Sequence, residues 1–129
     1  MMARRIDAAG HGIEFGDDGF VAFRVRGVVS VEAVTVFVRE MGAYKESHPS
    51  PGLVIDFRGG ADIEPEARRS LIDSGVDYPV AVFGGSFATR VLIKVMSNAA
   101  RILRRSEVRY AVVDSEAEAR AWLCEQLAG

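Results

Sequence analysis

The chain is poor in the residues that carry most protein chemistry. A single cysteine, Cys124, stands among 129 residues, so an intramolecular disulfide is impossible. The two histidines, His11 and His48, lie far apart, and no second cysteine or histidine sits at metal-ligand spacing, so neither a metal nor any other cofactor is expected. Long apolar runs are missing as well: no stretch approaches the roughly 18 residues that a membrane span needs. The opening MMARRIDAAGHGIEF carries no apolar segment after its two arginines. A reducing, cytoplasmic setting is the resulting expectation. An excess of positive charge is also absent. Sixteen basic against eighteen acidic side chains give a net charge of -2, without the field that non-specific nucleic-acid binding requires.

What is present is core material. Apolar residues make up 49% of the chain and charged ones 26%, enough for one domain over residues 1–129 to bury a core without a metal or disulfide staple. IEFG and FVAFRVRG flank Asp17-Asp18-Gly19, and Asp-Gly supplies the backbone angles of a tight hairpin. Ser30 caps a helical run in which Val31, Val34, Phe37, Val38, Met41 and Tyr44 recur at three-and-four spacing, ended by His48-Pro49-Ser50-Pro51-Gly52. LVIDF reads as a strand, and Pro65 opens a second helix with Leu71 and Ile72 on its buried side. The strand VAVF, a long helix from about Phe87 to Arg104, the strand VRYAVV and a last helix behind the capping box Ser115-x-x-Glu118 complete the order β-β-α-β-α-β-α-β-α. Strands alternating with helices imply an α/β domain with a mostly parallel sheet, about five strands, an N-terminal antiparallel hairpin and four helices.

Gly84-Gly85-Ser86-Phe87-Ala88 has the G-x-S-x-A form of a hydrolase elbow, placed as that motif must be, between a strand and a helix. A hydrolase serine needs a histidine downstream, and both histidines lie upstream, so no enzyme and no catalytic residue is expected. The same turn could cradle an anion on its backbone N–H groups, with Arg90 and Lys94 following on one side of the helix. It lacks the GxxxxGK[ST] and GxGxxG signatures of nucleotide sites, and Ser86 as a plain N-cap with glycines that allow a close turn is the favoured reading. The long helix carries an apolar arc of about 200°, against nearer 100° for a helix that packs only on a sheet. The surplus is expected around Ile93, Met96 and Ala100, to be covered by a neighbouring helix, a lipid-like ligand or another subunit. The paired carboxylates sit in turns and helix starts and carry no expected catalysis. Trp122 and Leu123 read as core anchors and Cys124 as a small buried residue.

The succession GLVIDFRG, DIEPEARRSL, VAVFGGSFATRVLIKV and VRYAVVDSEAEARAWL resembles the bacterial STAS-type proteins related to SpoIIAA, a fold shared in outline with CRAL-TRIO lipid-transfer domains. The telling pieces are Asp56 ending its strand with Arg58-Gly59 after it, the strand-turn-helix with Arg90, and the closing helix; together the resemblance covers Gly12 to Leu127. It implies a SpoIIAA-like β-α superhelix and a non-enzymatic role in protein contact or small-ligand sensing; the residues themselves add self-association as a homodimer through the long helix or sheet edge, or binding of a lipid-like or small anionic ligand, with Gly84, Gly85, Ser86, Arg90, Lys94, Asp56 and Arg58 as candidate ligand residues. Anti-sigma antagonists of this kind carry a phosphorylated serine at the start of the helix after this strand. DFRGGADIEPEARRS has no hydroxyl between Asp56 and Arg69, and Ser70 falls inside the helix, so that switch is not expected.

Overall fold

The computed structural model describes residues 2–104 and 109–128. Within them the chain forms one six-stranded sheet whose spatial order repeats the chain order: β1 (Met2–Ala8), β2 (His11–Gly16), β3 (Phe20–Val29), β4 (Gly52–Ile63), β5 (Val80–Phe83) and β6 (Tyr110–Val113). Four helices alternate with the later strands: α1 (Val31–Ser47), α2 (Pro65–Ser74), α3 (Phe87–Arg104) and α4 (Glu116–Ala128). β1, β2 and β3 form an antiparallel meander, and β3 to β6 run parallel.

The Asp17-Asp18-Gly19 hairpin forms as expected, with Gly19 at φ 90° and Asp18 Oδ1 accepting the Phe20 N–H at 3.1 Å. β1 extends that hairpin by a strand the sequence pattern conceals. MARRIDA places two arginines in succession and does not alternate; the strand is held instead by its pairing with β2 across Ala9-Gly10, both at positive φ. β4 likewise runs past LVIDF to Ile63, because Arg26 to Val29 of β3 offer it a continued partner across two register shifts.

Side-chain parity assigns the two faces of the parallel region. Val21, Phe23, Val25, Leu53, Phe57, Val80 and Val82 point to one face, while Ala22, Val54, Ala81 and Phe83 point to the other. Each parallel crossover steps to the next strand in the same direction, and crossovers of one hand lay their helices on one face. Accordingly α1, α2 and α3 share the first face through Val34, Phe37, Met41, Ala67 and Ile93. α4 follows β6 without being a crossover, and it covers the opposite face with Ala119 and Leu123.

The helix boundaries follow local chemistry. Ser30 Oγ accepts the Ala33 N–H at 3.2 Å to start α1, and His48 closes it. Ser115 Oγ accepts the Glu118 N–H at 3.1 Å, and Glu118 Oε2 accepts the Asp114 N–H at 3.0 Å, a reciprocal cap displaced by one residue. Leu123 is fully buried and Trp122 packs beside it, but Cys124 is exposed rather than buried. The reason is angular: one helical step from Leu123 turns the side chain about 100° away from the sheet.

Candidate functional site

The turn that launches α3 is built by close approach. Gly84 and Gly85 adopt φ 78° and 80°, and a Cβ on Gly84 would stand 2.7 Å from the backbone nitrogen of Arg58 on β4. Ser86 follows as the N-cap: its Oγ accepts the Thr89 N–H at 3.2 Å, and its carbonyl accepts the Arg90 N–H at 3.1 Å. No hydrogen bond among the described residues links Ser86 to a histidine. His11 is buried in the hairpin, where its Nδ1 accepts the Arg26 N–H at 2.9 Å, and His48 stacks on Tyr44 at 4.2 Å.

The structure brings Asp56, Arg58 and Gly84 together and leaves Arg90 and Lys94 apart from them. Arg90 lies 3.4 Å from Asp114, and Lys94 is exposed on α3. Arg58 spans Asp56 with its Nη2 at 2.8 Å and rests over the Phe83 ring at 5.2 Å. The Asp56 carboxylate is therefore already neutralised, and so is the charge of Arg58.

Asp56 belongs to a larger cluster on the α4 face. Arg24 of β3 reaches Glu14 of β2 at 2.8 Å, Asp56 at 3.2 Å and Glu116 of α4 at 2.8 Å, while Arg120 holds the other side of Glu116 at 3.1 Å. Hydrogen bonds from Arg58, joined by Arg24, outweigh burial and hold Asp56 down at about 2. Arg24 likewise lowers Glu116, and Glu116 and Glu14 raise the affinity of Arg24 for its proton. The arrangement binds the first turn of α4 to three strands.

α3 has two faces of different character. Ile93, Met96 and Ala100 turn inward, where they line a cavity of about 130 Å³ between α2, α3 and the sheet. The excess of apolar surface expected around these three residues lies instead at the other end of the arc. Phe87, Val91, Val95 and Ile102 are exposed to 82%, 44%, 58% and 74%. A helical wheel gives the width of an arc but not its rotation about the axis, and Ile93, packed on the core, fixes that rotation.

Arg24, Glu14 and Glu116 were not singled out from the sequence. The signal was a charged residue within FVAFRVRG at the parity of Ala22, the side that α4 covers. Among the described residues no three His, Cys, Asp or Glu side chains are grouped to hold a metal, and no helix is long and apolar enough to cross a membrane.

No family model matches the chain, and no curated protein matches its sequence. Solved structures do match. One is an uncharacterized protein of the DUF3478 family with a SpoIIAA-like fold from Shewanella loihica PV-4, at TM-score 0.61 and 17% identity over 96% of this chain and 100% of that one. Another is the anti-sigma factor antagonist SpoIIAA in its unphosphorylated form, at TM-score 0.61 and 11% identity over 92% of this chain and 98% of that one. With both matches at TM-score 0.61 over nearly the whole of each chain, this chain has the SpoIIAA-like fold.

Proposed function

We propose that this chain is a non-enzymatic regulatory domain that docks a protein partner on the outer face of α3. The observation that carries the reading is the exposed apolar row of Phe87, Val91, Val95 and Ile102, which falls within about 80° of the helix circumference. An apolar stripe in water is unfavourable, and its retention on a short domain is the mark of an interaction surface. α3 carries Arg90, Lys94, Arg101 and Arg104 and no acidic residue. Complementarity therefore favours a partner whose apolar groove has an acidic rim, whereas two copies meeting through α3 would bring like charges together. The similarity to an anti-sigma factor antagonist supports a regulatory role. Regulation here does not use a phosphorylated serine at the start of α2, where Glu64, Pro65 and Glu66 stand and Ser70 lies half-buried within the helix.

Photo-crosslinkers placed at Val91 and Val95 in cells test the surface. Discrete adducts to a different protein, lost when Ile102→Asp is added, are the expected result. Adducts to a second copy would replace the partner by self-association, and the absence of adducts at both positions would overturn the docking surface altogether.

A further inference from the structure

We propose that Arg5 and Arg26 form a binding site for the phosphate group of a small phosphate monoester, on the α4 face of the sheet at its β1–β3 end. The floor of the site is Gly12 of β2, where a Cβ would stand 3.7 Å from Arg5 Nη2 and 3.9 Å from Arg26 Nη2. Two guanidinium tips, one from β1 and one from β3, thus converge on a point where a side chain is missing. Sheet register brings them there: Gly12 lies opposite Asp7 on β1 and Arg24 on β3, so Arg5 and Arg26 reach it from either side along the strands. Gly12 is buried while both arginines are exposed, and α4 covers the other end of this face, on β4, β5 and β6.

The charges of these two arginines are not neutralised within the described chain. Their neighbour Arg24 is shared by Glu14, Asp56 and Glu116, Arg58 spans Asp56, and Arg90 lies against Asp114. Among the described residues neither Arg5 nor the side chain of Arg26 has an ion pair or a hydrogen bond. The carboxylates nearest in register are engaged elsewhere: Arg24 binds both oxygens of Glu14, at 2.8 and 3.4 Å, and Asp7 Oδ2 accepts the Gly10 N–H at 3.3 Å. Like charges turned toward one point repel, and an anion between them replaces that repulsion with charge-assisted hydrogen bonds. A phosphate monoester carries a charge of about −1.5 to −2 at pH 7 and three acceptor oxygens, which serves a guanidinium fork on each side. A carboxylate brings half that charge and matches a single fork. The site lies on the other face of the sheet from α3 and does not depend on the docking row there, so each can fail without the other.

Titration of the full chain with methyl phosphate and separately with acetate, followed by NMR of amide and arginine N–H groups, is the test. Salt at roughly 0.15 M screens diffuse attraction beyond about 8 Å. Methyl phosphate gives saturable shifts at the Gly12 amide and at the Nε–H of Arg5 and Arg26, and acetate binds about tenfold more weakly. Arg5→Gln and Arg26→Gln each weaken methyl phosphate about tenfold, and the melting transition stays as in the wild type because both side chains are exposed. Non-saturating shifts, saturable shifts centred on the Gly84 to Ser86 turn, equal binding of acetate, or undiminished binding in either folded variant would each overturn the assignment.

Discussion

Arg24→Met removes a guanidinium that Glu14, Asp56 and Glu116 share at 2.8, 3.2 and 2.8 Å. Methionine keeps the length of the stem, so the loss is chiefly electrostatic. Breaking one partner out of a fully buried pair costs about 3–5 kcal/mol, and an exposed pair is worth about 0–1 kcal/mol. Asp56 is only 8% exposed, but Glu14 and Glu116 keep more contact with water, which places the expected cost at about 2–3 kcal/mol. With an unfolding entropy of about 2.1 cal/mol/K per residue, the melting temperature should fall by about 7–11 °C. Urea unfolding followed through Trp122, which sits on α4 beside Leu123, reports the clamped helix directly. The pH dependence separates charge from packing. Asp56 titrates at about 2 when folded against 3.8 ordinarily, so its contribution is present above about 3.8 and is lost as the pH falls toward 2. Arg58 is the larger cause of that depression and survives in the variant, but Arg24 adds to it and dominates at Glu116. The gap between wild type and Arg24→Met should therefore narrow as the pH falls from about 4 to about 2. A gap below about 0.5 kcal/mol at pH 7, or one unchanged down to pH 2.5, would refute the clamp.

Three further outcomes are expected. Gly84→Ala forces a side chain onto φ 78° with its Cβ 2.7 Å from the Arg58 nitrogen, and calorimetry should record a loss of about 2–3 kcal/mol. Ser86→Ala removes the cap of α3 and the 3.2 Å contact of Ser86 Oγ with the Thr89 hydroxyl, so stability should fall by about 1–2 kcal/mol while crosslinking at Val95 stays as in the wild type. Burial holds His11 below its ordinary 6.5, so the folded chain resists a proton that the unfolded chain accepts. Stability should be full above that pH and decline as the pH drops beneath it, and urea midpoints should show the decline flattened in His11→Asn.

The parallel half of the fold was legible because both faces of its strands are covered, which writes LVIDF and VAVF as near-continuous apolar runs, and because Ser30, Pro65 and Ser115 announce their helices. β1 was not, since Arg4 and Arg5 interrupt any period. Arg4 lies over the Phe15 ring and pairs with Glu40 at 2.7 Å, contacts that only the folded chain assembles. The turn at Gly84 to Ser86 was located from the sequence, which also favoured Ser86 as the N-cap that the structure shows. The charge cluster escaped because its members are spread from Glu14 to Arg120 and meet only through sheet register and the placement of α4. The cavity escaped for a related reason: a list of apolar residues states how much surface must be covered, not whether the covering leaves a void.

Topology also explains why a network of paired charges is concentrated at α4 while α3 turns an apolar row outward. A crossover helix such as α3 is tied at both ends to neighbouring parallel strands, β5 and β6, so its outer surface is free to vary without threatening the fold. α4 has a strand before it only in β6, and its buried apolar footing is narrow: Ala119 and Leu123 rest on Phe83 and on the small residues Ala22, Val54 and Ala81. Those small residues let the helix come close, but they remove little apolar area from water, and the first turn needs another tether. Glu116 supplies it, at a helix N-terminus where the dipole already favours a carboxylate and within reach of Arg24 and Arg120. Substitution at the two helices should therefore separate cleanly. A polar change on the outer row of α3 is expected to alter stability by no more than about 0.5 kcal/mol, so a lost interaction there reads as lost binding, whereas a lost interaction at Glu116 reads first as a loosened helix.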